Sequence, residues 1–388
     1  MLPLAYYWLT KLLHKLLNRK FLFHFSNIVF HKKHASSLSF FSYFYKDYLL
    51  ALAKMVPGKN PNIFFKLLRA GLWEEDVVLP QVSDDEWSEV LSLAEAQTVV
   101  GIIARGVDHS DSKPPQDVIL KLVSKSYEIE RRSTKVEKGS EALMQYFESK
   151  GLRPILQKGP AIAKYYANPL SRTSGDIDLY FSEKDFDKAE ELARKNEKNV
   201  EREPDGSVTY SVQGIPVEHH PRFFDLHCKE SKLPEISSPE GTLLMLSAHI
   251  LKHCMGAGVG LRQICDMAVA YKALYGQYDQ KKLADIYKSV GLGKWNQLLD
   301  SFLFTYLGLD PDYFTTSKLT SPDPLVKIVL RGGNFGRGVS FRKNTLNSGK
   351  LVRKFGTVAV FLRSIPFSLK YGTREFLPSI AELVRGNL

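Results

Sequence analysis

The chain has 388 residues, of which 44% are hydrophobic, and this composition is typical of a globular protein with a substantial core. Its apolar runs are broken by Lys, Arg or His before the roughly 18 residues that a membrane-spanning helix needs, so no transmembrane segment is predicted. Three cysteines without a CxxC pair, Cys228, Cys254 and Cys265, argue against a disulfide framework and favour a reducing compartment, the cytoplasm.

The net charge of +11 is concentrated at the two ends of the chain. Residues 1–54 carry a net charge of +7 and residues 325–388 a net charge of +10, which leaves −6 for the residues between them. Basic ends attract polyanions such as nucleic acid or anionic lipid, and an ordinary solvated basic surface is the alternative interpretation.

Residues 1–54 hold 13 of the 45 aromatic residues, and their leucines follow a helical period. This pattern predicts a basic amphipathic helix, which could make peripheral contact with a membrane surface. Two other interpretations are a helix that packs on the body of the protein and an extension upstream of a start at Met55, and we favour the last. The apolar stripe of the helix consists of Trp8, Leu9, Leu12, Leu13, Leu16 and Leu17.

Helical periodicity dominates residues 60–150. Three helices are predicted there, with the sequences NIFFKLLRAGLW, DDEWSEVLSLAEAQ and, at residues 119–151, a long polar segment. We expect Asp84 or Asp85 to cap the start of the second helix and Gly151 to cap the end of the third.

From residue 152 the period changes to that of an α/β unit. The predicted order is strand RPILQKG, helix AIAKYYA, strand GDIDLYF, helix DFDKAEELARKN opened by Ser182, and strands NVEREP, SVTYSVQG and IPVEHHP with turns at Asp205-Gly206 and Gly214. Four further helices follow, with the sequences PEGTLLMLSAHILKHC, LRQICDMAVAYKALYG, QKKLADIYKSVG and WNQLLDSFLFTYLG.

The predicted fold class is therefore α+β, with a small mixed sheet flanked by N-terminal and C-terminal helical regions. The predicted organisation is a basic aromatic extension at 1–54, a helical region at 55–150, an α/β core at 151–222, a helical domain at 239–320 and a basic region at 321–388.

Two aspartates interrupt the strand GDIDLYF. Side chains alternate faces along a strand, so Asp176, Asp178 and Tyr180 share one face while the apolar side chains between them share the other. Two carboxylates so close to each other repel, and a shared cation is the simplest way to offset this repulsion. Oxygen ligands favour Mg²⁺ or Mn²⁺, which complete their coordination with water and substrate phosphates.

A third acid and a glycine turn extend this candidate site. Glu218 lies on the predicted strand IPVEHHP and would complete a two-metal site with the aspartates. Gly159 ends the strand RPILQKG at the start of a helix, where a phosphate chain can approach backbone N–H groups.

The segments QKGPAIAKYYANPLSRTSGDIDLYF, PVEHH, LSAHILKHC and LRQICDMA together resemble the bacterial uncharacterised nucleotidyltransferase family of the polymerase-beta-like superfamily. The resemblance covers roughly residues 60–335. It implies a nucleotidyltransferase palm that transfers a nucleoside monophosphate from an NTP to an acceptor hydroxyl. It further implies that Asp176 and Asp178 hold Mg²⁺, that Glu218 ligates the catalytic metal and helps to deprotonate the acceptor, and that Gly175 belongs to the nucleotide-binding motif.

The phosphate turn departs from the pattern of the superfamily, because Pro160 follows Gly159 and removes one N–H donor. We expect Lys158 and Arg172 to supply the missing positive charge to the nucleotide.

Several other residues have more than one possible interpretation. His249 and His253 could join Cys254 and Cys265 in a zinc site, but we expect them instead to face the active-site cleft or to pack on the α/β unit. Arg262 and Asp266, four residues apart on one helix, are predicted to form an ion pair. GGNFGRG at 332–338 is either a phosphate-contacting loop or a turn.

The sequence thus predicts a Mg²⁺-dependent nucleotidyltransferase with an NTP substrate and an acceptor that it does not identify. The first alternative is a non-catalytic nucleotide- or protein-binding module, such as an antitoxin-like partner, on the same fold. The second is an enzyme that modifies nucleic acid, which its basic ends would bind in a salt-dependent manner.

Overall fold

The computed structural model describes residues 61–203, 205–256, 258–315, 318–332, 364–378 and 381, all within the unit Pro57–Gly386. The predicted amphipathic helix in 1–54, Met55 and residues 333–338 of the GGNFGRG segment lie outside these described residues. None of the helices in the described ranges combines the length and the hydrophobicity that a membrane crossing requires.

Four helices precede the sheet: α1 Pro61–Trp73, α2 Asp84–Gln97, α3 Val100–Asp108 and α4 Gln116–Ser149. Helices α1, α2 and α4 confirm the sequence predictions, whereas α3 has no counterpart among the predicted helices. Its sequence is short and contains two glycines, which weaken the local preference for helix. Gly151 adopts φ +76° directly after the C-cap residue Lys150, as expected for the glycine that terminates a helix.

The predicted N-cap of α2 is wrong. Ser83 caps the helix instead, because its hydroxyl accepts a hydrogen bond from the backbone N–H of Glu86 while Glu86 accepts one from the backbone N–H of Ser83. Asp84 and Asp85 lie in the first turn, where their negative charges face the positive end of the helix dipole.

Close backbone contact explains how α3 forms despite its glycines. A Cβ atom on Gly71 of α1 would lie 1.9 Å from the carbonyl oxygen of Ile102, and one on Gly106 of α3 would lie 1.9 Å from the carbonyl oxygen of Leu67. Only glycine permits this approach, so the tertiary contact with α1 compensates for the weak local preference of α3.

The five strands are β1 Ile155–Leu156, β2 Ile177–Tyr180, β3 Glu201–Arg202, β4 Val208–Val212 and β5 Ile215–His220. They form one sheet in the order β1-β2-β5-β4-β3, in which β2 and β5 are parallel and every other pair is antiparallel. The predicted α+β class with a small mixed sheet is confirmed. Helix α5 Pro160–Ala163 follows β1, and α6 Glu183–Asn196 follows β2 with Ser182 at its N-cap position, as predicted.

The two faces of β2 differ as the alternation of its residues predicts. Ile177, Leu179 and Phe181 are fully buried in a second apolar core that also contains Phe147 of α4 and Val217 of β5. The opposite face carries the carboxylate of Asp178, so the apolar core fixes the direction in which the acidic side chain points.

The helix predicted over AIAKYYA is shorter than expected. It ends at Ala163, after a single turn, and a 3₁₀ turn follows at Pro169–Ser171. Two side-chain contacts stabilise this irregular path: the Tyr166 hydroxyl donates to Asp266 Oδ1, and Asn168 Oδ1 accepts from the backbone N–H of Leu170. Tertiary contacts therefore override the local helix preference of this segment.

The C-terminal helices are α7 Pro239–Met255, α8 Leu261–Leu274, α9 Gln280–Val290, α10 Gly293–Leu307 and α11 Asp323–Gly332, with further helical residues at 364–371 and 373–378. Helices α7 to α10 confirm the predictions. Helix α8 is buried along most of its length, so Arg262 and Asp266, which lie in its inner part, require partners inside the protein, whereas Lys272 in its last turn is exposed.

Asp300 of α10 is an acidic side chain in the main helical core. It is fully buried, and its Oδ2 accepts a hydrogen bond from Asn296 Nδ2 at 2.9 Å. Its Oδ1 has no hydrogen-bond partner among the described residues. Burial raises the pKa of Asp300 well above its usual range, which favours the neutral form of this carboxyl group in the folded protein.

We predict that Asp300→Asn stabilises the protein increasingly as pH rises. In the wild type, the unfolded chain releases this proton above about pH 4 while the folded chain retains it, so stability is lost as pH rises by up to about 1.4 kcal/mol per pH unit. Asparagine has no such proton. Urea unfolding at pH 5 and pH 8 measures the free energy of unfolding of both proteins. The prediction would be contradicted if the wild type became more stable relative to the variant between pH 5 and pH 8.

Candidate active site

A pocket lies on the polar side of β2 and β5, where helices α7 and α8 face the sheet. Six of the seven predicted site residues line it, and the seventh, Gly175, lies beside it with its carbonyl oxygen accepting a hydrogen bond from Arg132 at 2.7 Å. The predicted residues that line the pocket are Lys158, Gly159, Arg172, Asp176, Asp178 and Glu218. The structure thus brings together side chains that are more than 50 residues apart in the chain.

The parallel register of β2 and β5 places Asp178 directly beside Glu218. His220 lies two residues beyond Glu218, on the same face of the strand, with its Nε2 2.8 Å from Asp178 Oδ1 and its Nδ1 3.7 Å from Glu218 Oε1. One ligand atom from each of these three residues lies within 4.8 Å of the other two. Two carboxylates and an imidazole at this spacing could hold a divalent cation.

His220 is absent from the predicted site residues. The sequence carries a signal for it, because Glu218 and His220 alternate with Val217 and His219 and therefore share a face of the strand. The adjacent His219 belongs to the apolar side: it is fully buried, and burial lowers the pKa of its imidazole to about 3.

Asp178 is buried beside a lysine. Lys158 Nζ lies 3.1 Å from Asp178 Oδ1, the same oxygen atom that contacts His220. Burial alone would raise the pKa of Asp178, but Lys158 and His220 hold it well below its usual range. For Lys158, burial is the largest effect and opposes the charged form, but the combined attraction of four carboxylates outweighs it and raises the pKa of the lysine. These carboxylates are Asp178, Asp225, Glu218 and Asp176.

Asp176 immediately precedes β2 and also lines the pocket. It is not a member of the close group of Asp178, Glu218 and His220. Burial, and then repulsion by the neighbouring Asp178, raise the pKa of Asp176. A cation between the two carboxylates would relieve this repulsion.

The residues of this site lie within a region that matches a known protein family. The model of a family described as uncharacterised nucleotidyltransferase matches residues 83–300, more than half of the chain. The chain belongs to this family. A search of curated proteins and a search of solved structures each found no match. The matched region contains every residue that lines the pocket, so the carboxylates, the lysine and the helices that face them all belong to the nucleotidyltransferase domain.

The predicted ion pair between Arg262 and Asp266 is wrong. Asp266 instead accepts two hydrogen bonds from Arg172, each 2.7 Å long, and a third from the hydroxyl of Tyr166. Arg262 Nη1 donates to the carbonyl oxygen of Thr173 at 2.8 Å. The planar guanidinium of Arg172 donates to both oxygens of the Asp266 carboxylate at once, which makes a strong and directional pair. The pair joins α8 to the segment before β2.

Two guanidinium nitrogens at the pocket have no hydrogen-bond partner among the described residues. They are Arg172 Nη1 and Arg262 Nε, and both are buried. Burial, and then repulsion by Arg172, lower the pKa of Arg262. These two guanidinium groups therefore keep hydrogen-bond donors that an anionic ligand could accept from.

His249 and His253 line the pocket from α7, as one of the two sequence alternatives expects. His249 Nδ1 lies 3.0 Å from Asp225 Oδ2, and the Nε2 atoms of the two histidines lie 3.0 Å apart. Since a carboxylate only accepts, His249 carries its proton on Nδ1 and accepts at Nε2 from His253. Burial, and then the charge of Lys158, lower the pKa of His249 to about 4.

The zinc alternative for these histidines requires their neighbouring cysteines as ligands. Cys254 and Cys265 are core side chains, 3% and 0% exposed, and neither lines the pocket. Burial raises the pKa of both thiols, which opposes the thiolate form that binds zinc. The histidine pair is therefore a hydrogen-bonded part of the pocket wall, separate from the two cysteines.

We predict that Asp266→Asn lowers the free energy of unfolding by about 3 kcal/mol, because it leaves the buried charge of Arg172 without its counter-ion. Denaturant unfolding measures this loss. Asp117→Asn provides the control, because it breaks an ion pair with Lys121 of similar length, 3.0 Å, on the exposed surface of α4. Equal losses in the two variants would contradict a structural role for the Arg172–Asp266 pair.

Proposed function

We propose that the protein is a divalent-metal-dependent nucleotidyltransferase that moves a nucleoside monophosphate from an NTP to an acceptor hydroxyl. The observation that carries the proposal is the group formed by Asp178, Glu218 and His220, on adjacent parallel strands, inside a pocket that also holds buried cationic side chains. Family membership supports transfer of a nucleotide, and the pocket supports the metal and the phosphate substrate.

The donor atoms fit a divalent cation of the Mg²⁺ or Mn²⁺ kind. Asp178 and Glu218 offer carboxylate oxygens, Asp176 lies beside them, and His220 adds one nitrogen. When bound, the cation would polarise the reacting phosphate and stabilise the charge that develops on it.

The charges of the pocket also fit a polyphosphate. Its lining contains four cationic side chains and four carboxylates, which balance one another. One or two divalent cations would leave the pocket with a surplus of positive charge, which an NTP can neutralise. The unpartnered nitrogens of Arg172 and Arg262 are the donors best suited to phosphate oxygens.

Side chains rather than a helix dipole are expected to bind the phosphates. The helix that begins after Gly159 spans only Pro160–Ala163, so its dipole is weak, and Pro160 contributes no N–H. Gly159 itself has φ +60°, and a Cβ atom there would lie 3.4 Å from the carbonyl oxygen of Asp176. We assign Gly159 the role of allowing this turn, because its positive φ favours glycine.

In the proposed reaction the acceptor oxygen attacks the α-phosphorus, and the bond from that phosphorus to the bridging oxygen breaks to release pyrophosphate. We assign to Glu218 the removal of the acceptor proton, because 31% of its side chain is exposed whereas only 6% of the Asp178 side chain is. The apolar core beneath β2 and β5 holds both carboxylates in place during this step.

The cytoplasm remains our proposed location, since all three cysteines are free thiols, as a reducing compartment requires. The basic ends of the chain are our candidate segments for binding nucleic acid.

The test is transfer of label from each α-³²P-NTP, with Mg²⁺ or Mn²⁺, to the components of a cell extract. We predict that the wild type transfers label and that Glu218→Gln reduces transfer by about 100-fold or more. Asp178→Asn should do the same if circular dichroism shows that it folds. Asp187→Asn, on the exposed surface of α6, is the matched control and should retain transfer.

Two results would overturn the enzymatic proposal. Transfer that persists in Glu218→Gln and Asp178→Asn would place the chemistry elsewhere. Binding of labelled NTP without transfer to any extract component would favour the non-catalytic binding module.

A further inference from the structure

A lysine already neutralises the most deeply buried carboxylate of the proposed metal site. Lys158 Nζ lies 3.1 Å from Asp178 Oδ1, and only 11% of the lysine side chain is exposed. The ammonium group also interacts electrostatically with Asp225, Glu218 and Asp176. Three of these four carboxylates are the acids that we assign to the metal.

The Lys158 ammonium group and a divalent cation compete for the carboxylate of Asp178. The cation needs an oxygen of Asp178 at about 2.1 Å, and Oδ1 is already shared between Lys158 and His220, so the cation must either displace them from Oδ1 or bind Oδ2 beside the ammonium charge. Two positive charges beside one buried carboxylate also repel each other strongly, because little water separates them. Binding of the metal therefore requires Lys158 to weaken or leave its contact with Asp178.

The ammonium needs another anion if it leaves Asp178. Its buried position makes an unpaired charge costly, and the pocket that it lines is the one in which we place the phosphates. Its four-carbon side chain can turn within that pocket, since lysine acts as a point charge with freely rotating donors. An arriving phosphate would provide the replacement partner.

We propose that Lys158 is an internal counter-ion that competes with the divalent cation for Asp178 and transfers to the nucleotide phosphates, so that metal and nucleotide bind cooperatively. This inference rests on the proposed metal site. It makes metal binding weak without nucleotide and strengthens it when phosphate is present. Because coupling between two ligands is reciprocal, the metal strengthens nucleotide binding by the same factor.

A second lysine of the pocket, Lys252, with 37% of its side chain exposed, provides a control of the same charge. Lys252 Nζ lies 2.8 Å from Asp225 Oδ1 and 3.3 Å from Asp205 Oδ2, and it also lines the pocket. Neither of its carboxylate partners belongs to the group of Asp178, Glu218 and His220. Its removal changes the charge of the pocket by the same amount without freeing a proposed metal ligand.

The experiment is a titration of Mn²⁺ into the full chain without nucleotide, with free Mn²⁺ followed by electron paramagnetic resonance. We expect Lys158→Met to bind Mn²⁺ about tenfold more tightly than the wild type, or better. Lys158→Arg, which keeps the charge, should bind as the wild type does, and Lys252→Met should change affinity by less than about threefold. Thermal unfolding of each variant establishes that it is folded.

Inorganic tripolyphosphate then tests the transfer of the lysine, with a protein-free titration to correct for Mn²⁺ held by the tripolyphosphate. It should increase the Mn²⁺ affinity of the wild type more than that of Lys158→Met. Folded Lys158→Met that binds Mn²⁺ no more tightly than the wild type would overturn the inference while leaving the proposed function intact. A tighter Lys158→Arg would also overturn it. Failure of every folded protein to bind Mn²⁺ would overturn the metal site itself.

Discussion

The parallel pairing of β2 with β5 is the constraint on which the candidate site depends. Antiparallel neighbours surround this one parallel pair, and its register sets Asp178 beside Glu218 and Tyr180 beside His220. A shift of one residue in either strand would turn its carboxylate into the apolar core. The fully buried side chains on the other face prevent such a shift. The packing of the core therefore also fixes the positions of the two carboxylates.

Two ion pairs, one buried and one partly exposed, connect this sheet to the helices that close the pocket. Arg172, which precedes β2, binds Asp266 of α8, and Lys252 of α7 binds Asp225 in the segment after β5. The Arg172–Asp266 pair is buried and therefore costly to break, so it fixes the position of α8 relative to the sheet. The Lys252–Asp225 pair links α7 to the same sheet with its lysine partly exposed. The pair of Lys158 and Asp178 differs from these two pairs, because both of its members also have roles in the proposed reaction.

The sequence could place Asp178 and Glu218 in one pocket because strand alternation and the apolar pattern act locally. Asp178 and Glu218 could be placed on polar strand faces without knowing the register between the strands. Helix α3 could not be predicted, since its stability comes from the close contact of Gly71 and Gly106 with another helix. The partner of Asp266 could not be predicted either, because Arg172 is 94 residues away in the chain and only the fold brings it nearer than Arg262.

The histidine pair on α7 has a consequence for how the pocket handles protons. Asp225 fixes the tautomer of His249, and His249 in turn fixes the direction of the hydrogen bond from His253. The two rings therefore form one polarised chain that ends at a carboxylate. A substitution at any of its three members alters the proton arrangement of the others, so these residues act on the pocket as a single unit.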